Sequence, residues 1–292
     1  MDRLALPSPS KVNLYLEVLG RRDDGYHEIR SLAVLTELCD TILLERRTSG
    51  ITVGAKDPQV PSGPENICYR AADLLLRHCG MDAGISIRIE KRIPIAGGMG
   101  GGSSNAAATL WGLNLMYGLG RPREELMGLG AELGSDVPLF FSRGAAFVSG
   151  RGERVDELPV PSPRWLVIAN PGIEISTASV YRRLRLPLTS EGPGITMRLL
   201  FESGQEDAAL ACCFNRLEEV VCDAYPEVAA LKRRLSVGGA SPVLVSGSGP
   251  PVFGVMKGAN DAGRLALDLA ETGIRAVACR TLGTNPMLIT VQ

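Results

Sequence analysis

Histidine is scarce in this chain: His27 and His78 are the only two among 292 residues. The seven cysteines are odd in number and scattered, with no C-x-x-C pair, although Cys212 and Cys213 are adjacent. A His- or Cys-rich metal centre is therefore not expected, and reduced thiols in the cytoplasm fit better than a disulfide framework. Charge of one sign is also lacking, with 31 Lys and Arg against 32 Asp and Glu for a net of −1. Without a broad basic field, nucleic acid is a poor candidate partner, and any phosphate binding must rest on local backbone and a few cations. No apolar run approaches the ~20 residues of a membrane span. Met1-Asp2-Arg3 soon meets Pro7 and Pro9, which is unlike a secretory leader. The expectation is a cytoplasmic protein without a membrane partner. Tandem repeats and low-complexity tracts are missing too.

Hydrophobic residues make up 45% of the chain and charged residues 22%, the balance of a folded globular protein. The length suits about two domains. Prolines 159, 161 and 163 cluster after a Gly-rich strand, which places a boundary there, giving segments 1–157 and 158–292.

The chain is organised around Pro94-Ile95-Ala96-Gly97-Gly98-Met99-Gly100-Gly101-Gly102-Ser103-Ser104, in which five of the six residues from 97 to 102 are glycine. Ahead of it, Ile85 to Glu90 alternates apolar and polar residues as a strand does, and after it Ala106, Ala107, Ala108 and Leu110 favour a helix from Ser103 to about Tyr117. Glycine lets the backbone take positive φ and approach a ligand closely, and a helix start offers unpaired N–H groups and a positive dipole end. Strand, glycine loop and helix together make an anion site, best suited to a polyphosphate. The Walker pattern fails because Ser103 follows Gly102 where Lys is needed, and G-x-G-x-x-G fails in every register.

Elsewhere, Val12, Leu14, Leu16 and Val18 alternate along a strand, leaving Lys11, Asn13, Tyr15 and Glu17 on its other side. Asp24-Gly25 marks a turn, and Ser31 to Leu44 reads as strand with a break near Cys39-Asp40. Glu65-Asn66 opens a helix to about Cys79, with Asn66 a natural cap. Asp136 precedes Pro138 and could likewise cap a short helix. Residues 195–236 read as helices broken at Pro226, Val243 to Pro250 as a strand entering a second glycine turn, and Met287 to Thr290 as a strand.

The motif Pro-x-x-x-Gly-Met-Gly-Gly-Gly-Ser-Ser resembles the phosphate loop of the galactokinase, homoserine kinase, mevalonate kinase and phosphomevalonate kinase (GHMP) superfamily. Met99 stands where that family more often has Leu. The extended Gly-Gly-Gly-Ser-Ser-Asn-Ala-Ala, with Lys11-x-Asn13, Asp24-Gly-Tyr26-His27 and Gly134-Ser-Asp136-Val-Pro, is similar to the branch whose acceptor carries a diphosphocytidyl group. Asn215-Arg216-Leu217-Glu218 resembles a family Asn-Asp-Leu-Glu, with Arg in place of Asp.

That resemblance implies an α+β, two-domain GHMP kinase fold. Its N-terminal domain would be ribosomal-protein-S5-domain-2-like and its C-terminal domain ferredoxin-like, with the active site in the cleft between them. It implies ATP with Mg²⁺ as cofactor, metal ligands unknown, and the 2-position hydroxyl of 4-diphosphocytidyl-2-C-methyl-D-erythritol as acceptor. The loop 94–104, Asn66 and Lys91 would bind ATP, and Ser103 or Ser104 would meet phosphate or metal. Lys11 and Asp136 would be catalytic; which of them moves the proton stays open. Asn13, Tyr26, His27 and Tyr181 would bind the cytidyl substrate, Tyr26 and Tyr181 forming a ring sandwich. The alternatives are a kinase of the same fold acting on homoserine, mevalonate or another small alcohol, and a non-catalytic ATP or small-molecule sensor.

Overall fold

A computed structural model of the chain describes residues 1–95, 97–184 and 193–289; Ala96 of the glycine loop and Thr290 lie outside the described residues. Strands β1 (Arg3–Arg21) and β2 (His27–Arg47) form a long antiparallel hairpin. Val12, Leu14, Leu16 and Val18 are buried, but so are Lys11 and Asn13 on the opposite side, because both faces of the hairpin are covered. β1 begins well before Ser10 and runs through Pro7 and Pro9. Over residues 3–9 it pairs with a strand on the β2 side alone, so the missing proline N–H groups fall on an open edge.

The break foreseen near Cys39-Asp40 is a bulge: Ser10 pairs with Thr36 and Pro9 with Cys39, leaving Glu37 and Leu38 over. The bend lets the second edge of β2 take two partners, β5 (Ala145–Gly150) along Ile29–Val34 and β4 (Gly84–Glu90) along Thr41–Arg47. β3 (Ile51–Ala55), β6 (Arg154–Glu157) and β8 (Phe214–Asn215) complete this sheet beside β4, β5 and β1. A second, antiparallel sheet has the order β11 (Arg275–Arg280), β7 (Trp165–Asn170), β10 (Val252–Met256), β9 (Val243–Val245).

Helices α1 (Ile67–His78), α2 (Gly101–Tyr117) and α3 (Arg123–Leu133) lie with the first sheet. α2 is buried almost all round. A Cβ on Gly112 would stand 2.4 Å from Leu44 Cδ1 and 2.7 Å from Leu6 Cδ1, so the helix backbone rests directly on the hairpin. The later helices are α4 (Thr177–Arg183), α5 (Pro193–Glu202), α6 (Glu206–Ala211), α7 (Glu218–Ala224), α8 (Pro226–Val237), α9 (Ala259–Ala270) and α10 (Pro286–Ile289). α10 replaces the strand expected at Met287–Thr290. Asn285 starts it by accepting from Met287 N at 3.1 Å while donating to the carbonyls of Phe140 and Ser142, and the buried Met287 packs into the first core.

Among the described residues, three large apolar clusters and a small one around Ala33, Leu139, Ala146 and Val148 hold the molecule. Of the large ones, one lies in the N-terminal segment (Leu44, Ile87, Leu110, Phe140) and one mainly in the C-terminal (Val167, Leu231, Val252, Leu265). The third joins both, packing Val12, Val34 and Met99 with Leu166, Phe201 and Phe253. The glycine loop therefore runs along the seam between the two sheets. Among the described residues no helix is long and apolar enough to cross a membrane.

Candidate active site

The strand–loop–helix order is as the sequence implies, and α2 starts two residues earlier than expected, at Gly101. Gly98 (φ +59°) and Gly100 (φ +70°) take the left-handed conformation, and each is closely packed. A Cβ on Gly98 would meet the Ser246 carbonyl at 2.4 Å; one on Gly100 would meet Phe140 Cζ at 2.6 Å and Lys11 Cγ at 3.3 Å. Beside the loop lies a cleft of about 430 Å³ lined by Pro94, Ile95, Gly97, Gly98, Gly100, Gly101, Gly102 and Ser103 and by Asn66 and Lys91 across from them. The first-turn N–H groups of α2 have no helical acceptor and open into this cleft, an anion site built from main chain.

Two loop residues do not face it. Met99 is an anchor: its side chain is buried in the shared core and its carbonyl accepts from Lys11 N at 3.0 Å. Ser104 is fully buried with its Oγ 2.7 Å from Ser8 Oγ, which leaves Ser103 as the hydroxyl on the cleft. The helix rotation decides between the two serines, and that rotation depends on the start at Gly101. Asn66 does cap α1, accepting from Cys68 N at 2.8 Å, and lines the cleft at the same time.

Lys11 Nζ donates to Asn13 Oδ1 at 2.7 Å and stands 3.8 Å from Asp136 Oδ2. Asn13 in turn donates to Ser31 Oγ at 2.7 Å, and Ser31 to the Tyr15 carbonyl at 2.6 Å, so the Lys11–Asn13 pair is locked into the hairpin. Asp136 caps nothing; Val137 starts the short 3₁₀ turn Pro138–Phe141, and the Asp136 side chain remains 46% exposed. The result is a buried ammonium, whose stem packs against the left-handed Gly100, beside a solvent-facing carboxylate.

The second glycine turn closes the seam. Ser246 Oγ donates to the Gly98 carbonyl at 3.3 Å, and a Cβ on Gly247 would lie 3.5 Å from Asn13 Oδ1. Asn215 holds this turn by donating to the carbonyls of Val245 (2.8 Å) and Gly247 (2.7 Å), and Glu218 accepts from Val245 N at 2.8 Å. The residues that grip the turn are thus the first and last of Asn215-Arg216-Leu217-Glu218. Arg216 points to Glu219 at 3.0 Å, so its replacement of the family Asp spares those contacts.

At the rim, Tyr26 and Tyr181, expected on either side of a base, make no ring contact with each other. The His27 ring lies 4.8 Å from that of Tyr181 at 33°. Tyr26 follows the tight turn, points outward at 52% exposure, and carries the Arg151 guanidinium 5.1 Å from its ring. Burial, then the negative charge of Asp136, pushes the Tyr181 phenol up, so it stays protonated. Burial, then the positive charge of Arg21, lowers the His27 imidazole below its ordinary 6.5, so it is neutral at neutral pH.

Two residues that sequence reasoning passed over belong to this site. Arg151 is followed by Gly152, where a Cβ would lie 3.6 Å from Asp136 Oδ1. Asp40, read as a break in a strand, is fully buried and ion-paired with Lys91. No local pattern marks either, because their partners are distant in sequence.

Comparison with known proteins follows the same seam. The family model "GHMP kinases N terminal domain" matches residues 66–144, and "GHMP kinases C terminal" matches residues 197–275. A 4-diphosphocytidyl-2-C-methyl-D-erythritol kinase of Geobacter metallireducens is 44% identical over 90% of this chain and 92% of its own. One from Geobacter sp. (strain M21) is 43% identical over 97% of this chain and 100% of its own. A crystal structure of a 4-(cytidine 5'-diphospho)-2C-methyl-D-erythritol kinase superposes with a TM-score of 0.82 at 36% identity, covering 95% of this chain and 98% of that one. A homoserine kinase from Cytophaga hutchinsonii, at 18% identity and a TM-score of 0.76 over 98% of this chain and 96% of its own, shares the fold.

Proposed function

The chain belongs to the GHMP kinases and, within them, to the 4-diphosphocytidyl-2-C-methyl-D-erythritol kinases, and from that premise we propose how its residues carry the reaction. The enzyme transfers the γ-phosphoryl group of ATP to the 2-position hydroxyl of 4-diphosphocytidyl-2-C-methyl-D-erythritol, a step in isoprenoid biosynthesis. The loop 97–103 cradles the phosphates through main-chain N–H groups, with Ser103 and Lys91 adding side-chain donors. Asp136 takes the hydroxyl proton as that oxygen attacks the γ-phosphorus and the bond to the β-phosphate oxygen breaks, releasing ADP. Lys11, 3.8 Å from that carboxylate, offsets negative charge as it develops. Positioning and electrostatics carry most of phosphoryl transfer, so the stack of Gly100, Lys11 and Asp136 is the observation that supports this reading most strongly.

Among the described residues, no three of His, Cys, Asp and Glu converge as a metal cage. Ser103, the hydroxyl on the cleft, would be the protein oxygen nearest a Mg²⁺ carried in with the nucleotide. When bound, the ion neutralises phosphate charge. At the rim, the neutral His27, the Tyr26 ring and Tyr181 receive the cytosine, and Arg151 faces the negative diphosphate that follows it. The ATP cleft is lined from residues 1–157, and residues 158–292 reach the site through Tyr181 and the Ser246–Gly247 turn. All seven cysteines are unpaired, in keeping with a reducing cytoplasm.

The test is coupled turnover with ATP against the cytidyl alcohol, homoserine and mevalonate. Strong preference for the cytidyl alcohol is expected. Preference for either of the others would overturn the rim assignment, and ATP binding with no transfer to any alcohol would point to a sensor.

A further inference from the structure

The glycine loop is gripped at both ends by a single cross-strand pair of the hairpin beneath it. On the entry side, Asp40 Oδ1 accepts from Arg92 N at 2.7 Å and Ile93 N at 2.9 Å, and Oδ2 accepts from Lys91 Nζ. On the exit side, Ser8 Oγ lies 2.7 Å from Ser104 Oγ and 2.7 Å from Asn105 Oδ1. Ser8 and Asp40 face each other in the β1–β2 register, and both are fully buried. Lys91 is the cleft residue that Asp40 orients; a Cβ on Gly101 would stand 3.2 Å from its Nζ, beside the first turn of α2.

We propose that Asp40, with Ser8 opposite, is a positioning residue for ATP: the pair fixes the span of the loop and holds the Lys91 ammonium at the phosphates without touching the nucleotide. A buried carboxylate is costly unless it is paired and hydrogen-bonded, and here its bonds converge on the segment that enters the loop. The inference rests on reading the cleft as the ATP site, a premise tested separately by ATP binding to the unaltered enzyme.

The experiment measures ATP binding by calorimetry without acceptor, together with KM for ATP and for the alcohol, in Asp40→Asn and Ser8→Ala. Removing a hydrogen bond to a charged group corresponds to roughly ten- to a hundredfold, so Asp40→Asn should weaken ATP by that factor while KM for the alcohol holds. Ser8→Ala leaves no unpaired buried charge and should move ATP affinity in the same direction by less. It keeps the test decisive if Asp40→Asn fails to fold. Unchanged ATP affinity in the folded variants, or parallel losses for ATP and alcohol, would overturn the proposal.

Discussion

The two sides of the proposed site, for ATP and for the acceptor, are built on opposite plans. The ATP side presents main chain, and the side chains that hold it face away from the nucleotide: Met99, Ser104 and Asp40 are buried, and Gly98 and Gly100 are packed too tightly to carry a Cβ. The acceptor side presents side chains to solvent, with Tyr26 at 52% and the Asp136 side chain at 46% exposure. A triphosphate offers the same oxygens in every kinase of this kind, so a fixed backbone cradle serves it. The acceptor's identity lies in one ring and one hydroxyl, and rings and a carboxylate at the rim can be exchanged without disturbing the core.

Each side can be perturbed by itself. The largest effect is expected for Gly98→Ala. The left-handed backbone alone costs about 1–3 kcal/mol, and the new Cβ presses on the Ser246 carbonyl, which cannot swing away. ATP affinity and the melting temperature should both fall sharply, and retention of both would show the seam to be looser than described. Tyr26→Ala comes next. A stacked base is worth about 1–3 kcal/mol, so KM for the cytidyl alcohol should rise roughly ten- to a hundredfold with KM for ATP unmoved. A matching rise for ATP would erase the distinction between the two sides.

The smallest effect concerns pH. His27 is held below its ordinary 6.5, so the folded protein binds its proton less readily than the unfolded chain does. Its contribution to stability is full above 6.5 and is lost as pH falls through the lowered value. Affinity for the cytidyl alcohol should be flat at neutral pH and decline in mild acid, and His27→Gln should flatten the decline. An unchanged decline in that variant would assign it to another group.

The ATP side was the more legible in the sequence, because strand, glycines and helix are consecutive and each speaks through local backbone preference. Lys11 and Asn13 were legible as a face, though their burial was not, since it takes both sheets to cover the hairpin. Ser103 and Ser104 could not be separated without the helix start. Asp40 was invisible because Lys91, Arg92 and Ile93 lie some fifty residues on, and an isolated Asp in an apolar run reads as an interruption. Pro7 and Pro9 hid the first third of β1, whose open edge excuses them. Met287 and Ile289 are too few to distinguish strand from helix, and the cap at Asn285 decided it.

The pairing of Lys11 with Asp136 is tested most directly by single-turnover phosphoryl transfer in Asp136→Asn, with ATP and alcohol affinities measured on the same preparation. The expected result is near-normal binding of both and transfer slowed roughly 10²–10⁴-fold, the share a general base supplies. Transfer at the unaltered rate in a folded, ATP-saturated variant would contradict it.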